Sequence, residues 1–227
     1  MKPLLNLTVI AMLILSAVNS SAQTFGIKGG LNMSTMLVKL DGDKLDDLNF
    51  KLIPGFHIGP TMEFLFSDMF SLQAELLFSS KGFKDNGTLT DENGNVIGMS
   101  DLKMNLYYLD IPLAAKAKIG FDRFMLFGIF GPSLGIGLVG KSKYELDGEK
   151  GTSTIKFGAD EILRRLEVAL TFGGGIEVNR FLFGLSYNLG LTNISNQDPG
   201  VIKQTNRVLS ISIGYKFGKQ RTDKSDV

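Results

Sequence analysis

Few residues in this chain could do chemistry. It has one histidine, His57, and no cysteine, which excludes thiol catalysis, disulfides, Cys-ligated zinc and multi-histidine metal sites together. Gly131-Pro132-Ser133-Leu134-Gly135 spells the G-x-S-x-G pattern of a serine-hydrolase elbow. That elbow requires a strand-to-helix turn and a histidine later in the chain, whereas His57 comes earlier and no helical period follows. Asp41-Gly42-Asp43, with Asp46 and Asp47 behind it, echoes a calcium loop. A calcium loop needs more carboxylates at set spacings, and Lys39, Lys44 and Lys51 interleave here, so the stretch reads as solvated charge. The glycine runs at 29–30 and 173–175 precede no helix and cannot cradle a phosphate. With 24 Lys+Arg against 23 Asp+Glu, the chain has no basic excess for a nucleic acid. No cofactor, metal or catalytic residue is assigned. The remaining candidates are eight charged side chains spread along the chain: Lys28, Glu63, Glu75, Asp110, Lys116, Lys118, Glu177 and Lys216.

The elements that must hold them follow from hydrophobic periodicity. Phe56, Ile58, Pro60, Met62, Phe64 and Phe66 alternate with His57, Gly59, Thr61, Glu63 and Leu65. Phe70, Leu72, Ala74, Leu76 and Phe78 alternate with Ser71, Gln73, Glu75, Leu77 and Ser79. The same pattern runs through 107–118, 181–192 and 208–217, and less regularly through 25–32, 124–138 and 168–178. A helix would need apolar spacings of three and four. Eight strands of about nine to fifteen residues follow, where soluble strands average about five or six.

The connections sort by length. Those around 67–69, 120–123 and 179–180 are tight, whereas 33–54, 82–103, 139–165 and 195–206 are long. Short turns at one end and long loops at the other are the layout of an outer-membrane barrel. Asp91-Glu92-Asn93-Gly94 and Tyr144 to Gly148 read as hairpin tips, and 160–166 fits either a short helix or a strand start. One face of every strand is apolar and the other carries the eight charges. Strands long enough to cross hydrocarbon, and aromatics near strand ends (Phe64, Phe66, Phe70, Phe121, Phe124, Phe181, Phe183, Tyr215, Phe217), turn the apolar face to lipid. An eight-stranded barrel is only wide enough to be filled by side chains. Its four carboxylates are therefore expected to pair with Lys28, Lys116, Lys118 and Lys216 as a structural plug, because unpaired buried charge is costly. Pro60, Pro112 and Pro132 fall inside strands, where bulges are expected.

Residues 1–22 read as a cleaved signal peptide. Lys2 precedes an apolar run from Leu4 to Val18, too short to span a bilayer, and Ser20-Ser21-Ala22 offers a cleavage site. Residues 23–217 form the barrel domain and 218–227 a polar tail.

Tyr108-Leu109-Asp110-Ile111-Pro112-Leu113 resembles the Tyr-Leu-Glu-Ile-Pro-Leu strand of the PorT-like outer-membrane β-barrel family. Gly131-Pro132-Ser133-Leu134-Gly135 is similar to that family's Gly-Pro-x-x-Gly segment. The stretches 173–177, 187–194 and 210–217 follow in the same order. The resemblance implies an all-β, eight-stranded antiparallel up-and-down transmembrane barrel in the outer membrane of a Gram-negative bacterium. It also implies a link to secretion, the eponymous member's role. The tail after Phe217 departs from chains that end on the terminal aromatic. The expected role is structural anchoring or surface interaction, with outer-membrane lipid around the barrel and a protein partner met through the four long loops. Two alternatives stay open: a lipid-modifying enzyme centred on His57, and a soluble lipocalin-like periplasmic binder.

Overall fold

The structure is a computed structural model, and it describes residues 23–40, 43–44, 50–90, 96–146, 149–197 and 202–217. The predicted signal peptide and polar tail lie outside the described residues, as do Asp41, Gly42, Asp46, Asp47 and the 91–94 and 147–148 tips. All regular structure among the described residues is β. In chain order the strands are β1 (Gln23–Leu40), β2 (Asp43–Lys44), β3 (Phe50–Lys51), β4 (Ile53–Leu65), β5 (Phe70–Glu75) and β6 (Leu77–Thr90). They continue with β7 (Val96–Gly120), β8 (Met125–Leu146), β9 (Glu149–Ile155), β10 (Leu166–Val178), β11 (Phe181–Gly190) and β12 (Ile202–Phe217).

Eight walls close into a ring: β1, β4, β5 with β6, β7, β8, β10, β11 and β12, each antiparallel to its neighbours. Closure is made by β1 against β12, from Phe25 opposite Phe217 to Leu40 opposite Ile202. A ring without a free edge satisfies the backbone groups that hydrocarbon cannot solvate. Phe25, Ile27, Leu31, Phe56, Ile58, Leu113, Phe130, Phe172, Leu185, Ile211 and Ile213 are exposed on its outside. In water that surface would be an aggregation hazard, but in a bilayer it is the lipid face.

Both chain ends of the barrel and the tight turns share one end. Asn179 takes a φ of 53° there, a left-handed conformation that asparagine tolerates better than other side-chain-bearing residues. Phe66, Phe70, Phe121, Phe181, Phe183 and Phe217 form an exposed aromatic girdle at this end, and Phe121 stacks on Phe124 at 4.9 Å. A second aromatic group, Phe56, Phe78 and Tyr107, lies toward the other end.

The long connections differ from expectation. Most of 33–54, 82–103 and 139–165 is strand rather than loop, because β1, β6, β7 and β8 continue past the apolar band and β9 adds to β8. The prolines differ as well. Register is the same on both sides of Pro60, with His57 opposite Ser79 and Thr61 opposite Glu75. Pro112 and Pro132 likewise interrupt one ladder without a shift. Each proline lacks a single donor, and Pro60 still accepts from Leu76 N at 3.1 Å, so one lost bond does not require an extra residue. The register shift in β8 falls instead between the partners of Tyr107 and Tyr108, where Leu138 is the additional residue. Residues 160–166 form no helix: Leu163 bridges Phe157 and Ser195, and β10 begins at Leu166.

Candidate functional site: the filled lumen and its cap

Every strand sends alternate side chains inward, so the lumen's contents are fixed by parity. Lys28, Glu63, Glu75, Asp110, Lys116, Lys118 and Glu177 are buried there, and Lys216 is partly buried. Glu63 of β4 is the hub near the tight-turn end. It accepts from Lys118, from Lys116 at 3.3 Å, from Lys216 at 2.8 Å and from Ser71 Oγ at 2.7 Å. Glu177 of β10 shares two of these partners, Lys116 and, at 2.6 Å, Lys216. Lys116 also donates to Gln73 Oε1 at 3.0 Å and lies over the Phe127 ring at 4.5 Å. Lys28 pairs separately with Glu75, which also accepts from Gln73.

Asp110 does not join the four lysines expected to share the lumen. Its partner is Lys81, at 2.7 Å, which also donates to Glu167 at 3.2 Å. Lys81 and Glu167 are outside the eight candidates, yet both occupy positions that parity marks. Lys81 continues the row Gln73, Glu75, Leu77, Ser79, and Glu167 precedes Ala169 and Thr171 on the inward face. Five ammonium groups and five carboxylates thus face one another among the described residues. Balanced charge is what a low-dielectric interior demands, since any unmatched ion there lacks the compensation water would give.

His57 lies within β4, buried inside the lumen. Its Nδ1 is 2.8 Å from Asn32 Oδ1 and its Nε2 is 3.0 Å from Ser212 Oγ. Asn32 Oδ1 can only accept, so Nδ1 carries the proton and Nε2 accepts from Ser212. Asn32 is itself fixed by bonds to Phe56 O, Ser79 Oγ and Ser80 O, all at 3.1 Å. Gly30 makes room for the ring: a Cβ there would stand 2.7 Å from His57 Cε1 and 2.0 Å from Ile211 O. The order Ser212, His57, Asn32 matches that of a nucleophile, base and orienting group. However, His57 and Ser212 are buried on the face away from lipid. Beside them is a cavity of about 40 Å³, lined by His57, Asn32, Lys28, Glu75, Lys81 and Asp110. It has room for a few waters at about 10–15 Å³ each, and none for a lipid. Ser133, the serine of the hydrolase-like pentapeptide, is buried in mid-strand with no helix after it.

Above the ions the lumen turns apolar. Met36, Val38, Phe83, Leu106, Tyr108, Ile155, Phe157, Leu163 and Ile194 form one buried cluster. Tyr108 joins the two regions: Lys81 Nζ is 4.5 Å from its ring centroid, and Phe157 meets it edge-on at 5.3 Å. The connections before β10 and after β11 hold this cap in place. Asn196 Nδ2 donates to Gly158 O at 2.7 Å and Glu161 O at 2.8 Å, and Arg164 N to Ile194 O at 2.8 Å.

The chain matches the family model described as outer membrane protein beta-barrel domain over residues 20–196. Among solved structures it is similar to Ail, the attachment invasion locus protein of Yersinia pestis, at 18% identity over 87% of this chain and 100% of that one, with a TM-score of 0.37. OprG from Pseudomonas aeruginosa gives 19% identity over 87% and 97%, with a TM-score of 0.40. Neisserial surface protein A gives 12% identity over 85% and 97%, with a TM-score of 0.43. No curated protein matches it in sequence. The closed ring of eight antiparallel walls, the apolar exterior and the family match together place the chain in the outer membrane, as a member of the outer membrane protein beta-barrel domain family.

Proposed function

We propose that the protein is a non-conducting outer-membrane anchor that carries a raised β-sheet for surface interaction. One observation carries this reading: the lumen is filled along its length, first by the ionic network and then by the apolar cap. Two cavities inside it, of about 20 and 40 Å³, each hold only a few waters. Among the described residues, β1, β6, β7, β8 and β9 carry β-sheet beyond the membrane, a stiff surface suited to a partner protein. The resemblance to PorT-like barrels supports an assembly or secretion-linked role for that surface.

Reconstitution into planar bilayers tests the reading. The expected result is no steady conductance at any voltage below membrane breakdown, and a stable unitary conductance overturns it. The His57-centred enzyme is tested separately by replacing His57 with Ala in the parent bacterium. The lipid profile of the outer membrane is expected to stay unchanged, whereas a lost or altered acyl species would establish the enzyme instead.

A further inference from the structure

Just above the apolar band, four lysines stand abreast on the outside of the barrel. Lys51 of β3 is opposite Lys84 of β6, Lys84 is opposite Lys103 of β7, and Lys103 is opposite Lys143 of β8. At about 4.8 Å between strands, the row spans about 14 Å. It faces outward, because the alternating neighbours Phe83, Met104 and Ser142 face in. Lys141 adds a cation one row nearer the membrane, opposite Asn105.

Like charges directly opposite in an antiparallel pair destabilise it, so folding alone gives no reason for this row. Among the described residues only Lys84 has a carboxylate within ion-pair distance, Asp101 at 3.2 Å. The vertical order of charge identifies what the row faces. Tyr107 and Val139 mark the top of the apolar surface, then comes Lys141, then the row of four, and beyond it Asp101 opposite Glu145, with Lys150 on the other side of Glu145. Lys141 and the row of four lie on the membrane side and both carboxylates on the distal side, where the cation Lys150 is already paired with Glu145 at 3.2 Å. A polyanion arriving from solution would meet the carboxylates first, while an anion rooted in the membrane meets only lysines. The row lies about 10 Å above Tyr107 along the tilted barrel. A lysine stem bent toward the membrane brings its ammonium into the headgroup layer from there.

We propose that the outer face of β3, β6, β7 and β8 binds the phosphate groups of a phosphorylated glycolipid of the lipid A type in the outer leaflet. Each phosphate bridges neighbouring lysines and turns their mutual repulsion into a shared attraction. The inference goes beyond the anchor reading and does not depend on whether the lumen conducts.

The test uses the full-length protein folded in non-ionic detergent micelles, with binding followed by native mass spectrometry. The probes are diphosphorylated lipid A, dephosphorylated lipid A and inorganic pyrophosphate. Wild type should bind the diphosphorylated lipid, and the double substitution Lys103→Ser with Lys143→Ser should weaken that binding roughly 30-fold. Lys150→Ser, in the carboxylate row and paired there with Glu145 at 3.2 Å, should leave it unchanged. Without lipid the double variant should unfold at the same or a higher temperature, since only repulsion has been removed. If the serine pair does not fold, Lys103→Gln with Lys143→Gln carries the same comparison. Equal affinity of wild type and variant for diphosphorylated lipid A overturns the proposal. So does binding of pyrophosphate or dephosphorylated lipid A as tight as that of the diphosphorylated lipid.

Discussion

Two regions of one lumen obey opposite rules. At the level of the lipid-facing band, the exterior is Phe, Ile and Leu and the interior is a network of five cations and five carboxylates. Above the band the exterior carries Lys103, Lys141 and Lys143, and the interior is Met36, Phe83, Leu106 and Phe157. The chain does not change its period of two between them. Along β1, even positions from Gly26 to Val38 point inward, yet Lys28, Asn32 and Ser34 give way to Met36 and Val38. The polarity inverts because the solvent outside does. Where lipid surrounds the wall, the hydrophobic effect gives the interior no advantage in being apolar. Where water surrounds it, the interior reverts to an ordinary protein core.

The sharpest way to break this contrast is to unbalance the lower region. Glu63→Gln leaves Lys116, Lys118 and Lys216 with one charged acceptor among them, Glu177. Removing one partner of a buried ion network costs about 3–5 kcal/mol. Urea unfolding in micelles, followed by the mobility difference of folded and unfolded barrels on gels, should show a loss of that size. An unchanged midpoint would mean that water already solvates these charges. Next in size is Leu106→Ala, which empties part of the upper core. Truncating a buried leucine costs about 2–5 kcal/mol, but here the loss should be local. Trypsin should then cut at Lys141, Lys143 or Lys150 while the membrane band stays folded. Cooperative loss of the whole barrel would show that the two regions are one unit.

The lower region was far more legible in the sequence than the upper. Alternation with charges on one face and aromatics on the other fixed which residues enter the lumen, and Lys116 and Glu63 meet for that reason. Alternation places Asp110 inside, but its partner Lys81 lies past Phe78, where the outward row turns from apolar to Ser80, Gly82 and Lys84. That loss of apolar residues marks the point where the solvent changes and does not end the strand. The cap lies past the same point. Phe157, Leu163 and Ile194 have no shared period, and they meet through isolated bridges at Leu163, the Arg164 N–Ile194 O bond and the Asn196 side chain, which ties the 158–161 turn to the connection after β11. Contacts made through isolated bridges and single bonds between irregular segments leave no periodic trace.

Gly137 offers a milder test of where the regions join. A Cβ at this position would stand 2.4 Å from the Phe157 ring, so Gly137→Ala must displace that ring from its present edge-on contact with Tyr108. Overpacking of this kind costs about 1–3 kcal/mol. The effect should appear in the trypsin assay of the raised sheet before it appears in urea unfolding of the band. The opposite order would place Phe157 functionally in the lower region.

The smallest effect is expected outside, where the two regions' exteriors differ most. Lys84 and Asp101 pair at 3.2 Å with both side chains more than a third exposed. Such a pair contributes at most about 1 kcal/mol, and salt weakens it further. Asp101→Asn should therefore shift the urea midpoint hardly at all. Its informative readout is charge, because it frees Lys84 to act with Lys51, Lys103 and Lys143. Affinity for diphosphorylated lipid A should rise by a few-fold at low salt and return to the wild-type value at high salt. A drop in affinity would mean that Asp101 positions Lys84 for the lipid rather than competing with it, and that the exterior above the band is as specifically arranged as the lumen below.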